Sequence, residues 1–220
     1  MFNLTLSNRG EPSILDQRIT YGETAEIGEF PWQAAIFIGK SFHCGGSIIS
    51  EHFILTAAHC VIVYQNTPEQ LRVVLGVWNI VNSSEEGAQT YRVRTGIDST
   101  GKLAFITGWG RDQRKRLVSR LHKLQSAIVS NGLCDDRWRE NGAPKGFIVP
   151  SMICMDAQNG DSCNGDSGGP SVIEHPQSSG FYTQVGIVSF GSGSCTEKKL
   201  PGVYTNVAYY LDWINKEMNR

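Results

Sequence analysis

The chain has 220 residues, enough for one large domain or two small ones with a substantial core. Apolar residues make up 40 % and charged residues 19 %, with a net charge of −1, which excludes a disordered chain, a nucleic-acid binder and a membrane-surface protein. No apolar run approaches the length of a transmembrane helix. In chain order, β-branched and aromatic runs predict strands at residues 32–38, 44–49, 53–56, 71–77 and 90–94. Further strands are predicted at 102–108, 121–129, 152–155, 171–173, 184–190 and 202–206. Turn residues separate them at short intervals, and with 24 glycines they indicate an all-β barrel or sandwich. Helix is expected at the C-terminus alone, where Val207, Tyr210, Leu211, Ile214 and Met218 recur at helical spacing. The first residues, MFNLTLSNRGEPS, have neither a basic nor an apolar region of the secretory type, so no signal peptide is expected.

The six cysteines, at 44, 60, 134, 154, 163 and 195, include no C-x-x-C pair, so a zinc site is a poor reading. An even count at wide spacing favours three disulfides and an oxidising compartment, and this outweighs the lack of a leader.

The segment GDSGG at residues 165–169 fits G-x-S-x-G, the nucleophile elbow of α/β-hydrolases. That fold needs alternating strands and long helices, with an acid and then a histidine after the serine. Here the sole later histidine is His175, eight residues on, and the elbow reading fails. The alternative takes the base from upstream, and His59 in ILTAAHC is the candidate. A serine hydroxyl needs an imidazole to accept its proton. Glycines around Ser167 let backbone N–H groups turn toward a developing oxyanion.

The blocks FPWQAAI, CGGSIIS, ILTAAHC, ITGWG, DSCNGDSGGP, SFGSGSC and PGVYTNV resemble, in order, those of trypsin-like (chymotrypsin-fold) serine proteases. The resemblance runs from Ile19 to the C-terminus. It implies two antiparallel β-barrels with a C-terminal helix and a catalytic cleft between the barrels. By motif, His59 is the general base and Ser167 the nucleophile, with the N–H groups of Gly165 and Ser167 forming the oxyanion hole.

The resemblance extends to specificity and activation. Asp161 matches the floor of the primary specificity pocket in the trypsin branch, where a carboxylate attracts the Arg or Lys before the scissile bond. Gly191 and Gly202 match the open pocket walls, and Phe190 stands where the family commonly has Trp. Arg18–Ile19 resembles the zymogen cleavage site, so residues 1–18 read as a propeptide and 19–220 as the peptidase domain. The amino group freed at Ile19 would pair with Asp166, a buried ion pair that makes cleavage a switch. Thr20 and Tyr21 depart from the family's usual residues there. The implied disulfides are Cys44–Cys60, Cys134–Cys154 and Cys163–Cys195. Residues 75–89 correspond to the family's calcium loop, but Val77 replaces an acidic ligand and no metal or cofactor is expected.

The resemblance also calls for an Asp on a buried apolar strand. In the reference Ser-His-Asp arrangement the Asp follows the His by about 45 residues and precedes the Ser by about 93. Counted from His59 and from Ser167, those gaps land near about position 104 and about position 74, so they cross rather than meet. His59 and Ser167 stand 108 residues apart (167 − 59), roughly 30 short of the reference. The expected break is at Arg94/Thr95, leaving 19–94 as a truncated first barrel and 95–220 as the second barrel with the C-terminal helix. Asp98 lies after the break, in a Thr/Gly/Ser-rich turn, and is not the triad residue.

Three functions are compatible: a trypsin-like endopeptidase impaired by loss of one segment, an inactive homologue acting as a binding protein, and an extracellular interaction module. The intact His59, Ser167, Asp161 and Asp166 favour the first. Expected partners are Arg- or Lys-containing peptide substrates and protease inhibitors, with no nucleic acid or membrane, and the expected form is a secreted monomer. Residues 110–123 hold six basic side chains and read either as a solvated loop or as a site of self-cleavage or polyanion binding. Asn3 and Asn82 fit the N-glycosylation pattern. Without its Asp-bearing strand the first barrel would have an open edge, or would recruit residues 102–108 in a substitute pairing.

Overall fold

The computed structural model describes residues 22–81, 99–112, 114–174, 182–193, 195 and 200–219. Strands β1 (Glu23–Thr24), β2 (Gln33–Ile38), β3 (Ser41–Ile48) and β4 (Ile54–Leu55) precede the one-turn helix α1 (Ala58–Val61) and strand β5 (Leu71–Leu75). There follow β6 (Leu103–Gly108), β7 (His122–Val129), α2 (Asn131–Glu140), β8 (Met152–Met155), β9 (Pro170–Glu174), β10 (Tyr182–Phe190), β11 (Gly202–Asn206) and α3 (Leu211–Met218).

The second half closes on itself. The sheet order is β1-β7-β6-β9-β10-β11-β8, and β8 pairs back onto β7, giving a six-stranded antiparallel barrel with β1 added at one edge. Period-two alternation builds it. Ala104 and Ile106 of β6, Leu124 and Ile128 of β7, and Ile153 and Met155 of β8 all point into one buried core with Tyr204. The first half is a curled four-stranded sheet, β4-β3-β2-β5, without closure among the described residues. Strand β2 is buried on both faces: Ala35 and Phe37 join a core with Trp32 and Trp109, while Ile36 joins one with Val207, Leu211 and Ile214 of the C-terminal segment. The architecture is thus the expected all-β pair of barrels, the first of them open among the described residues.

Two expectations are corrected. Helix is not confined to the C-terminus: α2 spans ten residues after Ser130, whose hydroxyl accepts the Leu133 N–H at 3.3 Å as an N-cap. With Cys134 as its sole buried residue, α2 carries no apolar stripe for a periodicity search to find. Nor is β6 recruited by the first sheet; it pairs with β7 and β9 inside the closed barrel. The predicted strand at 90–94, Asp98, Arg18, Ile19 and both candidate glycosylation sites lie outside the described residues. The basic stretch folds as a tight turn around the buried Asp112 carboxylate, which accepts the N–H groups of Arg114 and Arg116 at 2.8 Å each. Arg116 is ion-paired to Asp112, Lys123 to Glu29 and Glu23, and Arg120 lies over Trp78.

Candidate active site

Histidine 59 sits in the single turn of α1, exposed, where the Cys44–Cys60 disulfide pins the turn to β3. The two sulfurs lie within 4.8 Å of its ring, but as a disulfide they offer no thiolate to a metal. Its pKa is depressed, first by partial burial and then by the like charge of His43. The His43 Nε2–H donates to the Cys60 carbonyl at 3.1 Å. Among the described residues no hydrogen bond joins His59 to Ser167 or to a carboxylate. Sequence reasoning passed over His43, yet the implied disulfide gives it away: residues 43 and 59 each adjoin one of the linked cysteines.

Serine 167 stands on a loop wedged between the two halves. Its carbonyl accepts the Gly45 N–H of β3 at 2.8 Å, while the next N–H, of Gly168, donates to Val188 of β10 at 2.8 Å. Gly168 has φ +80°, and a Cβ there would overlap the Thr56 hydroxyl and the Gly45 carbonyl. That close approach sets the Ser167 loop against Thr56 and Ala57, just ahead of His59 in the chain. The N–H groups of Asp166, Gly168 and Gly169 are all engaged. Those of Gly165 and Ser167 donate to no group among the described residues, which leaves them free for an anionic oxygen.

Two buried carboxylates underlie this loop. Asp166 is fully buried, and burial pushes its pKa up to about 6 against the N–H bonds from Cys163 (2.8 Å) and Gly110 (2.7 Å). A side chain at Gly108 or Gly110 would overlap this carboxylate, which explains both glycines of the ITGWG block. Asp161 is 6 % exposed, and its pKa is pushed up to about 7, chiefly by burial and further by the Asp166 charge. The N–H of Ser162 reaches Asp161 at 2.7 Å, and Tyr204 donates its hydroxyl to the Ser162 Oγ at 3.2 Å. Neither Ser162 nor Tyr204 was singled out from sequence; Tyr204 was visible as part of PGVYTNV but without a role.

A cavity of about 190 Å³ connects Asp161 to Ser167, with Ser189, Phe190 and Gly191 in its walls. A Cβ at Gly191 would come 3.1 Å from the Asp161 carboxylate, and one at Gly202 would overlap it. Both glycines are therefore needed to keep space beside the charge. Asp161, Ser167, Phe190 and Gly191 line one hollow, and Gly202 flanks its floor. The disulfides Cys163–Cys195 and Cys134–Cys154 are formed as the resemblance implies.

The sequence profile of the Trypsin family matches residues 19–100 and 95–214. The chain belongs to the trypsin family. A curated relative, CLIP domain-containing serine protease B4 of Anopheles gambiae, is 29 % identical over 258 aligned positions, covering 91 % of this chain and 70 % of the relative. Family membership makes the chain a serine-protease homologue, an enzyme by descent, and proteins of this kind act on protein substrates and meet protein inhibitors. The family and the three disulfides suggest an extracellular protein, and no helix among the described residues is long and apolar enough to cross a membrane.

Proposed function

We propose that the chain descends from an endopeptidase that cleaves after Arg or Lys, and that in its present form catalysis is impaired by loss of the triad Asp. The observation that carries the specificity is the hollow between the Asp161 carboxylate and Ser167, long enough in its chemistry for a cationic side chain and open through Gly191 and Gly202. A bound guanidinium or ammonium would return the Asp161 pKa toward the ordinary range, gaining a charge-assisted bond in a dry site.

In the proposed reaction Ser167 Oγ attacks the scissile carbonyl while His59 takes its proton. The carbonyl oxygen, now anionic, is received by the free N–H groups of Gly165 and Ser167. His59 must then hold a positive charge, yet among the described residues no carboxylate touches the ring, and His43 opposes the charge. Replacing the triad Asp lowers turnover by about 10⁴-fold in the reference case, or roughly 5 kcal/mol of barrier. Two further observations support a lost segment. The family profile matches in two stretches that meet at residues 95–100, next to the expected break. Covering 91 % of this chain, about 200 residues, takes 258 aligned positions, so about 58 of them have no residue here.

On this reading residues 1–18 are a propeptide, cleavage follows Arg18, and the Ile19 amino group pairs with the buried Asp166. Residues 19–94 are the truncated first barrel and 95–220 the second, and the product is a secreted monomer. The bare imidazole also favours a second reading, an inactive homologue that still binds Arg- or Lys-containing partners through Asp161. Turnover of an Arg ester after cleavage at Arg18 separates the two. A rate within tenfold of an ordinary trypsin-like enzyme overturns the impairment, and a rate equal to that of Ser167→Ala favours the binding protein.

A further inference from the structure

An apolar groove of about 560 Å³ runs beside α1, walled by Leu55, Ala57, Ile187, Val207, Trp213 and Ile214. Its composition is unusual for a surface: Trp213 is 56 % exposed, and Ile62 and Val63 stand 55 % and 74 % exposed on the adjoining turn. One wall is β4. That strand pairs with β3 on one side and, among the described residues, ends the sheet on the other, so its outer edge presents backbone N–H and C=O groups without ladder partners there. The groove also runs along Ala57 and Ala58, and His59 is the next residue of the same turn. There His43 is the charged group that acts on His59, and no carboxylate contacts it among the described residues.

Apolar walls and a strand edge that is open among the described residues lie next to the turn that carries His59, and each asks for a complement of different chemistry. We propose that the groove accepts an extended segment of another polypeptide, aliphatic at alternate positions and carrying one carboxylate, which adds beside β4 and sets the carboxylate against His59. Strand addition supplies main-chain hydrogen bonds, and alternate side chains fill the groove. The period of two places every second residue against Leu55, Ile187 and Trp213. The complementary charge selects an acidic segment over a neutral one. The docking itself stands on the groove and its rim; its catalytic effect rests on the endopeptidase reading above.

The probe is a synthetic peptide of about eight residues, alternating aliphatic and polar with one central Asp. Its Asn counterpart and a scrambled isomer serve as controls. Calorimetry should show the Asp peptide binding at least tenfold more tightly than either control, with that preference lost in Trp213→Glu, a substitution at an exposed position that spares the fold. The His59 ring resonance, identified by its absence in His59→Gln, should titrate at higher pH with the Asp peptide and be unmoved by the Asn peptide. Equal binding of the scrambled isomer, binding unchanged in Trp213→Glu, or no binding overturns the proposal. So does concentration-dependent self-association abolished by Trp213→Glu, since a second copy would then be the occupant. Under the endopeptidase reading the Asp peptide also raises Arg-ester turnover by about 10²-fold or more, part of the about 10⁴ that a positioned carboxylate is worth. Binding with a raised His59 titration but no gain in turnover upholds the docking and counts against that reading alone.

Discussion

The two halves of the molecule meet the same physical demand with unequal success. In the second barrel β7–β8 pairing closes the ring, and the barrel's interior is filled by alternating side chains. The closure is firm enough to hold two carboxylates away from water. In the first half the described sheet stops at β4 and β5, and Val73 and Leu75 of β5 are 43 % and 40 % exposed. On the proposed reading, the half that would bind the substrate side chain is closed, and the half that would support the histidine is open among the described residues. On that reading recognition and catalysis are separable: the proposed pocket needs the second barrel, whereas the proposed base needs both.

The largest expected effect comes from emptying the pocket floor. Asp161→Ala should weaken binding of an aryl amidine by about 10²-fold or more, as expected when one partner of a buried ion pair is removed. Isothermal titration reads this without any need for turnover, and unchanged affinity would detach Asp161 from recognition. Next, Gly110→Ala drives a methyl into the Asp166 carboxylate and should cost about 2–3 kcal/mol in denaturant unfolding. A cost under about 0.5 kcal/mol would mean that the second barrel is less rigid than its closure implies.

The two halves should also respond oppositely to pH. Asp161 and Asp166 have raised pKa values, so the native state holds protons that the unfolded chain has released. Their contribution to stability is full below about pH 4 and lost as pH rises toward about 7. His59 has a lowered pKa, so its smaller contribution is present above the ordinary histidine value and lost as pH falls through its native value. Melting temperature should therefore fall from pH 5 to pH 7.5 without ligand. An aryl amidine should reverse that slope by stabilising the Asp161 carboxylate. A slope that Asp161→Asn leaves unchanged would assign the effect elsewhere. Smallest of all, Val73→Lys on the exposed strand should shift stability by less than about 0.5 kcal/mol while lowering aggregation seen by light scattering.

Much of the second half was legible in the sequence. The strands at 152–155 and 202–206 are found at their expected bounds, because short β-branched runs between turn residues leave few alternatives. The GDSGGP and ITGWG blocks pointed to a site, but the reason for the glycines in ITGWG was hidden. It is the Asp166 carboxylate, 56 residues from Gly110 in the chain and packed against it in space. Helix α2 escaped because capping, rather than an apolar face, defines it. The groove beside β4 had no sequence signature at all, since its walls come from segments 150 residues apart that only the folded chain assembles.

The tethering of Ser167 has a kinetic consequence. Gly45 of the open half holds one side of the Ser167 loop by one main-chain hydrogen bond, and Val188 of the closed half holds the other by two, with Gly168 and Gly169. Amide exchange at Gly45 and at Gly168 thus reports two different doors. When the first sheet breathes, Gly45 lets go while Gly168 stays protected, and the serine is left anchored from one side alone. If Ser167 is the nucleophile proposed above, its attacking atom is then only as steady as the less durable of its two neighbours, and working lifetime follows the slow opening of one edge rather than the melting of the whole molecule.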